Sequence, residues 1–572
     1  MRTGVQCLMD GLKQAGVEVI FGIPGGAVLD IFNDLCHAPF EFFLARHEQG
    51  AAHMADGYAR ATGRTGCCLV TSGPGATNTV TGLATANMDS IPLVCITGQV
   101  SSNMIGNDAF QEADITGITR PVTKHNYLVR DVDDLPRIIA EAFYIASSGK
   151  PGPVLVDIPK DVQRASTRAP TPKEVKIRSY NPNTEGHPRQ IAKLAEALNA
   201  AKRPLLYVGG GVNLSNSAEE LTALARKARL PVTTTLLGLG AFPETDPLAL
   251  RMLGMHGCPA ANLAVQECDL LVSVGARFDD RVTGNVAEFA PHAKVAHIDI
   301  DPSAISKSVK VDIPVVGDAK QVLQELLPQV EARKHTDWLK QLKQWQDQYP
   351  FTYDQDPAKL MPQYIIEQIY KLTAGKAIIT TEVGQHQMWA AHFYKYTRPR
   401  TFISSGGLGT MGFGLPAAIG AQVGCRDQIV VDIAGDGSAQ MNFQELVVAV
   451  EHKLPVKVII LNNTYLGMVR QWQEMFYKRE YSGTVLRQSD RPKNECIKGG
   501  PDVYLPDFVK LAEAHGAYGD RVVKRADVIP ALEKAFAYNG PAVVEFMVER
   551  EANVYPMVPV GASLTEMIHS MA

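Results

Sequence analysis

Residues 430–469, "VVDIAGDGSAQMNFQELVVAVEHKLPVKVIILNNTYLGMV", contain the pattern that decides the fold. One apolar run ends in Gly435-Asp436-Gly437-Ser438, a helical stretch follows, and a second apolar run ends in Asn462-Asn463. Two buried strands joined by a helix form a parallel unit, in which both strand ends lie at the same edge of the sheet. We therefore expect Asp436 and Asn463 to lie close together.

The residue types at this edge predict a site for a cation and a phosphate. The carboxylate of Asp436 and the amide oxygen of Asn463 suit Mg²⁺, which takes few protein ligands and shares the oxygens of a diphosphate. The small residues Gly437 and Ser438 let backbone N–H groups at the start of a helix approach a phosphate. Each half alone has a plainer explanation, since Asp-Gly is a common turn dipeptide and Asn commonly ends strands. Their placement one crossover apart makes the pattern specific.

Similar runs occur along the whole chain, among them "VEVIFGIPGG", "TGCCLVTSGPGATN", "RPLLYVGGG", "DLLVSVGAR" and "KAIITTEVGQ". Continuous apolar strands that alternate with helices predict an α/β fold with parallel sheets covered on both faces. A chain of 572 residues is too long for one core.

Two polar breaks divide the chain. Residues 164–188 are punctuated by proline and predict a linker, and residues 331–361 predict a charged helix followed by an irregular crossing. The predicted domains are residues 1–163, 189–340 and 360–550, with a tail at 551–572.

Composition excludes several classes of function. A net charge of -4 without a dense basic stripe argues against a nucleic acid partner. No apolar run is long enough for a membrane span, and the first residues form a helix-strand pattern rather than a signal peptide. The nine cysteines are scattered without a CxxC pair, which favours buried thiols over disulfides or a zinc site. These features predict a cytoplasmic protein that binds neither nucleic acid nor membrane.

The stretch "LARHEQGAAHMADGYARATG", residues 44–63, places Glu48 between a strand-like segment and a helix. An acidic residue in the first turn of a helix is favoured by the helix dipole, and this explains Glu48 without any function.

The paired motif of Asp436 and Asn463 resembles that of thiamine-diphosphate enzymes, and the resemblance narrows to the acetohydroxyacid synthase (acetolactate synthase) family. It covers nearly the whole chain and implies pyrimidine-binding, FAD-binding and diphosphate-binding domains, each a doubly wound parallel sheet. The stretches that carry it include "GIPGG", "RHEQG", "SGPGATN", "DAFQEAD", "TKHNYLV", "PGPVLVDIPKDVQ", "GARFDDR", "VGQHQMW", "SSGGLGTMGFGLPAA", "GMVRQW" and "VYPMVP".

The resemblance implies thiamine diphosphate, Mg²⁺ and FAD as cofactors. It makes Glu48 the group that exchanges a proton with the aminopyrimidine ring, and it adds the backbone carbonyl of Tyr465 to the metal ligands Asp436 and Asn463. By the same resemblance Met411 supports the bent cofactor. The residues implied to contact the diphosphate or the reactive ring are Val383, Gly384, Gln385, His386, Gly437, Ser438, Gly26 and Ala27.

The substrate residues are likewise implied by the resemblance. Arg281 would bind the carboxylate of the second 2-keto acid, and Trp472 would shape a pocket that favours 2-ketobutyrate over pyruvate. Without the family, a surface Arg–Asp pair and a half-buried Trp explain both residues. By the same resemblance Gln99 would polarise the bound substrate, Phe110, Gln111 and Lys124 would line the cleft, and Met468 belongs to the same catalytic set. The residues implied to contact FAD are Gly210, Thr235, Leu236, Gly254, Met255, His256, Gly275, Arg277, Asp299, Ile300 and Asp318.

The implied activity is decarboxylation of pyruvate and ligation of the remaining two-carbon unit to a second 2-keto acid. The products would be 2-acetolactate or 2-aceto-2-hydroxybutyrate, at the first common step of isoleucine, valine and leucine biosynthesis. A homodimer or homotetramer is implied, with Glu48 and Asp436 of one site on different chains, and a small regulatory subunit is possible. The alternatives are a flavin-dependent pyruvate oxidase, a flavin-free acetolactate synthase, and a non-catalytic subunit.

The sequence departs from the family pattern at three places. Ser101 replaces a usual Pro after "GQV", and Lys150 replaces a usual Arg in "SGKPGP". Lys cannot offer the planar fork of Arg, which leaves one flavin contact in doubt. Residues 487–505 look longer than the family norm, and their polar composition predicts a solvated loop.

Overall fold

The computed structural model describes residues 1–486 and 506–570, so the predicted loop at 487–505 lies outside the described residues. The described chain contains three six-stranded sheets in which every pair of neighbouring strands is parallel. This confirms the predicted α/β fold of three parallel-sheet domains.

The first sheet has the strand order β3-β2-β4-β5-β7-β6, and a two-stranded antiparallel sheet of β1 and β8 lies beside it. The strands are β1 (Arg2–Thr3), β2 (Val19–Ile23), β3 (Glu41–Leu44), β4 (Gly66–Val70), β5 (Leu93–Gln99), β6 (His125–Leu128), β7 (Pro153–Pro159) and β8 (Ser166–Thr167). The helices are α1 (Gly4–Gln14), α2 (Leu29–Leu35), α3 (Glu48–Thr62), α4 (Pro74–Thr77), α5 (Val80–Asp89), α6 (Ile115–Thr119), α7 (Leu135–Ser147) and α8 (Lys160–Arg164).

The middle sheet has the order β11-β10-β9-β12-β13-β14, the arrangement typical of dinucleotide-binding folds. Its strands are β9 (Pro204–Val208), β10 (Val232–Thr234), β11 (Ala249–Met252), β12 (Leu270–Val274), β13 (Lys294–Asp299) and β14 (Ile313–Val316). The helices are α9 (Pro188–Ala200), α10 (Gly210–Leu214), α11 (Ala218–Ala228), α12 (Pro259–Glu267), α13 (Asp280–Thr283), α14 (Ala319–Leu326) and α15 (Thr336–Gln348).

The third sheet has the order β16-β15-β17-β18-β20-β19. Its strands are β15 (Ile378–Thr381), β16 (Phe402–Ile403), β17 (Val430–Gly435), β18 (Lys457–Asn462), β19 (Tyr518–Val522) and β20 (Ala542–Met547). The helices are α16 (Pro362–Leu372), α17 (Gln385–Phe393), α18 (Gly414–Gly424), α19 (Asp436–Ala439), α20 (Leu446–Glu451), α21 (Gly467–Phe476), α22 (Phe508–Ala514) and α23 (Val528–Ala537).

The first and third sheets share one topology. In each, the chain builds two strands on one side, then crosses over to build the rest on the other side. This creates a switch point, between β2 and β4 in the first sheet and between β15 and β17 in the third. In the middle sheet the switch point lies between β9 and β12. Ligands of open α/β sheets bind at the carboxyl ends of the strands beside such points.

Helices α3 and α18 join the first and third domains. Both helices contribute to one continuous apolar cluster that extends into the two sheets. Glycines bring the two backbones into direct contact, since a Cβ on Gly57 would overlap the carbonyl oxygen of Ala417, and one on Gly420 would overlap that of Met54. The first and third domains are therefore packed together through backbone as well as side chains.

Among the described residues, no helix combines the length and the apolar composition that crossing a bilayer requires.

Candidate active site

The switch point of the third sheet holds the acidic residue of the opening motif. Asp436 begins α19 directly after β17 and is 4% exposed, and Asn463 directly follows β18. β17 and β18 are neighbouring parallel strands, with Gly435 opposite Leu461 in the register. The structure thus brings together the two strand ends that the sequence pattern pairs.

Burial and hydrogen bonds position both candidate metal ligands, Asp436 and Asn463. Burial raises the pKa of Asp436 to about 8, and a bound divalent cation would favour the ionised carboxylate again. The amide nitrogen of Asn463 donates to Gln385 Oε1 at 3.1 Å, and its Oδ1 accepts from the Tyr465 N–H at 3.1 Å. These bonds fix the amide and leave Oδ1 with a further lone pair. No cluster of three His, Cys, Asp or Glu suited to a metal occurs among the described residues, so a cation here would complete its shell from a ligand.

Two buried polar atoms at this crevice have no partner among the described residues: Nε2 of His386 and the hydroxyl oxygen of Ser438. Burial lowers the pKa of His386 to about 3, so its ring is neutral. The ring lies against Gly435, where a Cβ would come within 2.6 Å of Nδ1, so glycine is required at the end of β17. Buried polar groups normally have hydrogen-bond partners, so these two unpartnered atoms beside the Asp436 carboxyl fit a bound diphosphate.

Met411 lies on a loop, residues 404–413, that connects β16 to α18. Gly409 and Gly412 have φ values of 71° and 85°, which side chains rarely adopt. The Gly412 N–H donates to Glu382 at 2.6 Å, and its carbonyl accepts from Asn442 at 2.6 Å. The residue after Met411 is thus fixed on both of its polar sides.

Glu48 lies at the corresponding edge of the first sheet. It begins α3, whose N-cap is His47, and its carboxylate accepts from the Asn78 amide at 2.9 Å. Gly75 lies beside it, since a Cβ there would be 3.4 Å from Glu48 Oε1. The turn before Glu48 is anchored by the third domain, because the Arg46 N–H donates to the buried Glu445 at 3.0 Å.

Gly26 and Ala27 follow β2 at the same edge. Gly26 is exposed, and its carbonyl accepts from the Lys160 ammonium at 3.0 Å. Ala27 is nearly buried, and its carbonyl accepts from Gln163 at 2.8 Å. The predicted ring contacts are therefore backbone positions held by α8.

Gln99 ends β5 and is 3% exposed. Its amide nitrogen donates to Asp157 and to the Ala113 carbonyl, both at 2.9 Å, and its Oε1 accepts from the Val100 N–H. Burial raises the pKa of Asp157 to about 7. In this arrangement Gln99 fixes the loop that follows β5.

That loop also carries Ser101, Phe110 and Gln111. The Gln111 backbone packs on Gly73, where a Cβ would lie 2.7 Å from the Gln111 carbonyl oxygen. Phe110 is 87% exposed in the single chain. Ser101 precedes a short 3-10 turn and is partly exposed.

The predicted role of Lys124 requires a correction. Its N–H donates to Pro153, the first residue of β7, so it lies at the amino edge of the sheet, opposite Gln99. Its ammonium donates to the carbonyls of Ile145 and Ser148. Lys124 therefore caps the end of α7 and does not line the cleft.

The predicted flavin residues all lie at, or a few positions beyond, the carboxyl ends of the middle-domain strands. At the switch point, a Cβ on Gly211 would lie 2.7 Å from the Cα of Gly275, so backbone rather than side chains forms the surface there. The hydroxyl of Thr234 is buried without a partner among the described residues. This edge fits a dinucleotide pyrophosphate. Lys150, the departure from the family pattern, pairs with Asp301 at 3.2 Å.

These residues are placed as follows: Gly210 after β9, Thr235 and Leu236 after β10, Gly254, Met255 and His256 after β11, Gly275 and Arg277 after β12, Asp299 and Ile300 at the end of β13, and Asp318 after β14.

The predicted substrate residues lie on two short helices. Arg281 on α13 has a side chain that is 51% exposed, and its carbonyl accepts from the Met255 N–H. Met468 and Trp472 lie on α21, and both are half-buried. The indole N–H of Trp472 has no partner among the described residues.

The C-terminal tail connects these two helices. Gln471, next to Trp472, exchanges two hydrogen bonds with the backbone of Val554. Farther along, the Val558 N–H donates to the Met255 carbonyl, and the Asn285 N–H donates to the Ala562 carbonyl. Sequence reasoning missed this connection, along with Lys160 and Glu445. The position of Lys160 directly after β7 was a usable signal, whereas Glu445 and the tail had none.

Comparison with known proteins matches three models of thiamine pyrophosphate enzymes to this chain. The N-terminal TPP binding domain matches residues 2–118, the central domain residues 191–326, and the C-terminal TPP binding domain residues 382–546. The chain is 47% identical to the acetolactate synthase large subunit of Haemophilus influenzae, over 99% of this chain and 98% of the relative. It is also 47% identical to the acetolactate synthase isozyme 3 large subunit of Escherichia coli, over the same shares. Identity to the large subunit IlvB1 of Mycobacterium tuberculosis is 49%, over 99% of this chain and 91% of the relative.

Proposed function

The chain belongs to the acetolactate synthase large-subunit family of thiamine pyrophosphate enzymes, and on that premise we propose that it converts 2-keto acids to acetohydroxy acids. It decarboxylates pyruvate and joins the two-carbon unit to a second pyruvate or to 2-ketobutyrate. The reaction starts the synthesis of the branched-chain amino acids, in the cytoplasm.

The observation that carries this proposal is the group of polar atoms at the switch point of the third sheet. Nε2 of His386, in the tautomer that carries the ring proton there, and the Ser438 hydroxyl offer two buried donors without partners among the described residues. Asp436 and Asn463 offer two oxygens beside them. We assign the first pair to the diphosphate of the cofactor and the second pair, with the Tyr465 carbonyl, to Mg²⁺. Val383, Gly384 and Gln385 complete the strand-end turn. Thiamine diphosphate supplies the electron sink that decarboxylation of a 2-keto acid needs.

The first domain supplies the proton-transfer group of the proposal. Glu48 begins a helix at the carboxyl edge, half-exposed and oriented by Asn78, where it can exchange a proton with an aminopyrimidine nitrogen. Because the exposed Gly26 and Phe110 share this edge, we assign the partner surface to the third domain of a second copy. The active form would then be a homodimer or a multiple of one.

The middle domain is the proposed binding site of FAD. Its strand order and its backbone-lined switch point support a dinucleotide, and Arg277 reaches toward the 404–413 loop, within 3.0 Å of a Cβ built on Gly407. Net carboligation transfers no electrons, so the flavin acts as a structural group between the middle domain and the thiamine site. The resemblance to large subunits adds a small regulatory subunit as a partner.

Arg281 and Trp472 are assigned to the second 2-keto acid. An exposed guanidinium can bind a carboxylate bidentately, and a half-buried indole can shape the pocket for the alkyl group. The C-terminal tail holds their helices together, so the pocket depends on residues 553–562. Met468 on the same helix completes the wall.

The test is acetolactate formation from pyruvate by purified protein, with thiamine diphosphate, Mg²⁺ and FAD each omitted in turn. We expect product only when thiamine diphosphate and Mg²⁺ are both present, and no requirement for an electron acceptor. Acetate or acetyl phosphate formed with reduction of the flavin would identify the protein as a pyruvate oxidase instead. A colourless active protein would identify the flavin-free synthase, and a holoenzyme without any turnover would indicate a non-catalytic subunit.

A further inference from the structure

The loop that carries Met411 is held by the first domain of the same chain. Asp89, the last residue of α5, accepts from the backbone N–H groups of Gly407 at 2.7 Å and Gly406 at 3.1 Å. Farther along the loop, the hydroxyls of Thr85 and Thr410 lie 2.7 Å apart. Two residues of one first-domain helix, α5, thus bind a loop whose assigned ligand lies in the third domain.

A buried arginine keeps Asp89 in place. Arg60 on α3 donates to Asp89 at 2.9 Å and to the carbonyl of Ser404 at 2.9 Å, and it also pairs with Asp56 one turn earlier. Its guanidinium lies 5.2 Å from the ring centroid of Phe413, at the far end of the loop. Carboxylate acceptors of backbone N–H groups make stronger bonds than neutral acceptors do, so an ionised Asp89 holds the loop firmly.

The third domain holds the other end of the same loop. Glu382 accepts from the N–H groups of Gly412 at 2.6 Å and Leu415 at 3.3 Å. Met411 therefore lies between a carboxylate of the first domain and a carboxylate of the third. Because two of the loop glycines have left-handed backbones, the loop has many conformations to lose when it is fixed.

We propose that Asp89, with Arg60 as its counter-ion, is a positioning residue that holds the 404–413 loop in the conformation that receives thiamine diphosphate. Asp89 does not touch the cofactor; it acts through the backbone of Gly406 and Gly407. The first domain thereby shapes the cofactor site of its own chain. This role is separate from that of Glu48, which is proposed to transfer a proton at the site shared with a second chain.

A matched pair of variants tests this proposal. Asp56 and Asp89 both pair with Arg60, and their side chains are 0% and 1% exposed. Of the two carboxylates, Asp89 is the one that accepts from the N–H groups of Gly406 and Gly407. D89N and D56N each remove one of the two carboxylates that pair with the same arginine. The dissociation constant of thiamine diphosphate, measured by quenching of tryptophan fluorescence in saturating Mg²⁺, distinguishes a loop effect from general destabilisation.

We expect D89N to weaken cofactor binding on the order of tenfold, because the charged acceptor of two N–H groups is lost. D56N should change the dissociation constant less than about twofold, although both variants lower the melting temperature of the apoenzyme. Equal weakening in the two variants, or none in D89N, would overturn the proposal.

A milder pair covers the case in which D89N does not fold. T85V removes the hydroxyl that meets Thr410, while T79V removes a buried hydroxyl that donates to Ala76 within the first domain. T85V should weaken cofactor binding about threefold and T79V should leave it unchanged, and identical constants would refute the role of the first domain. The proposal rests on the thiamine diphosphate site of the proposed function. Since its readout is cofactor affinity, it can fail while acetolactate is still formed, and it can hold if another product is found.

Discussion

The first and third sheets have the same strand order, yet the chain completes their switch points in different ways. In the third domain the crevice is lined by buried groups, among which His386 and Ser438 have no partner within the described residues. In the first domain the corresponding edge presents a half-exposed Glu48, an exposed Gly26 and a Phe110 that is 87% exposed. Topology places a ligand at both edges. The side chains make one edge enclosed, where we propose that the diphosphate binds, and leave the other facing outward.

The largest expected effect is on the rate of E48Q, a variant at the open edge of the first sheet. E48Q removes the carboxylate that we propose to transfer the proton and keeps the shape of the side chain, so acetolactate formation should fall on the order of 100-fold to 1000-fold. The affinity for thiamine diphosphate should change much less, because the third domain holds the diphosphate. Initial rates and fluorescence titration measure the two quantities.

E41Q is the matched control for this variant. Glu41 begins β3, is 47% exposed and pairs with Arg426 at the surface. Its replacement should leave the rate unchanged. If E48Q kept wild-type turnover, Glu48 would be only a helix-start residue favoured by the dipole.

A smaller effect tests the enclosed edge. In S438A the buried hydroxyl without a partner disappears, so the apoenzyme should become more stable by up to about 1 kcal/mol. The same change should weaken thiamine diphosphate binding about tenfold, because a donor to the diphosphate is lost. Thermal unfolding of the apoenzyme and titration with cofactor give the two values.

The control is S217A. The hydroxyl of Ser217 is buried but already bonded to Ser215, so its loss should cost stability and leave cofactor affinity unaltered. A destabilised S438A apoenzyme, or one with unchanged affinity, would contradict the assignment of Ser438.

The last prediction concerns Asp157, which binds Gln99 below the open edge of the first sheet. Burial raises the pKa of Asp157 to about 7, above its unfolded value of about 4. Ionising this carboxyl is therefore harder in the folded protein, so the stability it contributes is greatest below about pH 4 and is lost as the pH rises to about 7. Relative to D157N, which cannot titrate, the wild type should lose more than about 1 kcal/mol of unfolding free energy between about pH 5 and about pH 8.

Denaturant unfolding of both proteins at the two pH values checks this prediction. T97V removes a hydroxyl donor to Asp157, so the ionised carboxylate is stabilised less and its pKa rises further. The loss of unfolding free energy should then extend to higher pH than in the wild type. If the unfolding free energies of wild type and D157N differed by the same amount at both pH values, Asp157 would not titrate in this range.

The parts of the fold that the sequence could predict are those that follow from strand ends. The pairing of Asp436 with Asn463 needs only two consecutive parallel strands, and the residues proposed to contact FAD follow strands of the middle sheet for the same reason. Lys124 was placed wrongly because a matched motif does not tell which end of a strand it occupies. Lys160, directly after β7, lies on the correct edge and was overlooked.

Contacts between distant segments were beyond prediction from one sequence. Arg60 and Asp89 lie on different helices, and each looks like an ordinary charged residue in a helical pattern. Likewise nothing in "VYPMVP" shows that the tail joins Gln471 to Met255. Such contacts depend on the packing of whole domains, which local periodicity does not record.

The central claim is that one active site combines the open edge of one chain with the enclosed edge of another. It is tested most directly by co-expressing E48Q and D436N with different affinity tags and assaying acetolactate formation by the purified mixed dimer. Each parent dimer should be inactive, and the hybrid should recover about half of the wild-type activity per dimer, because one of its two sites combines an intact Glu48 with an intact Asp436. A hybrid as inactive as its parents would show that both residues of a site come from the same chain, and would contradict the claim.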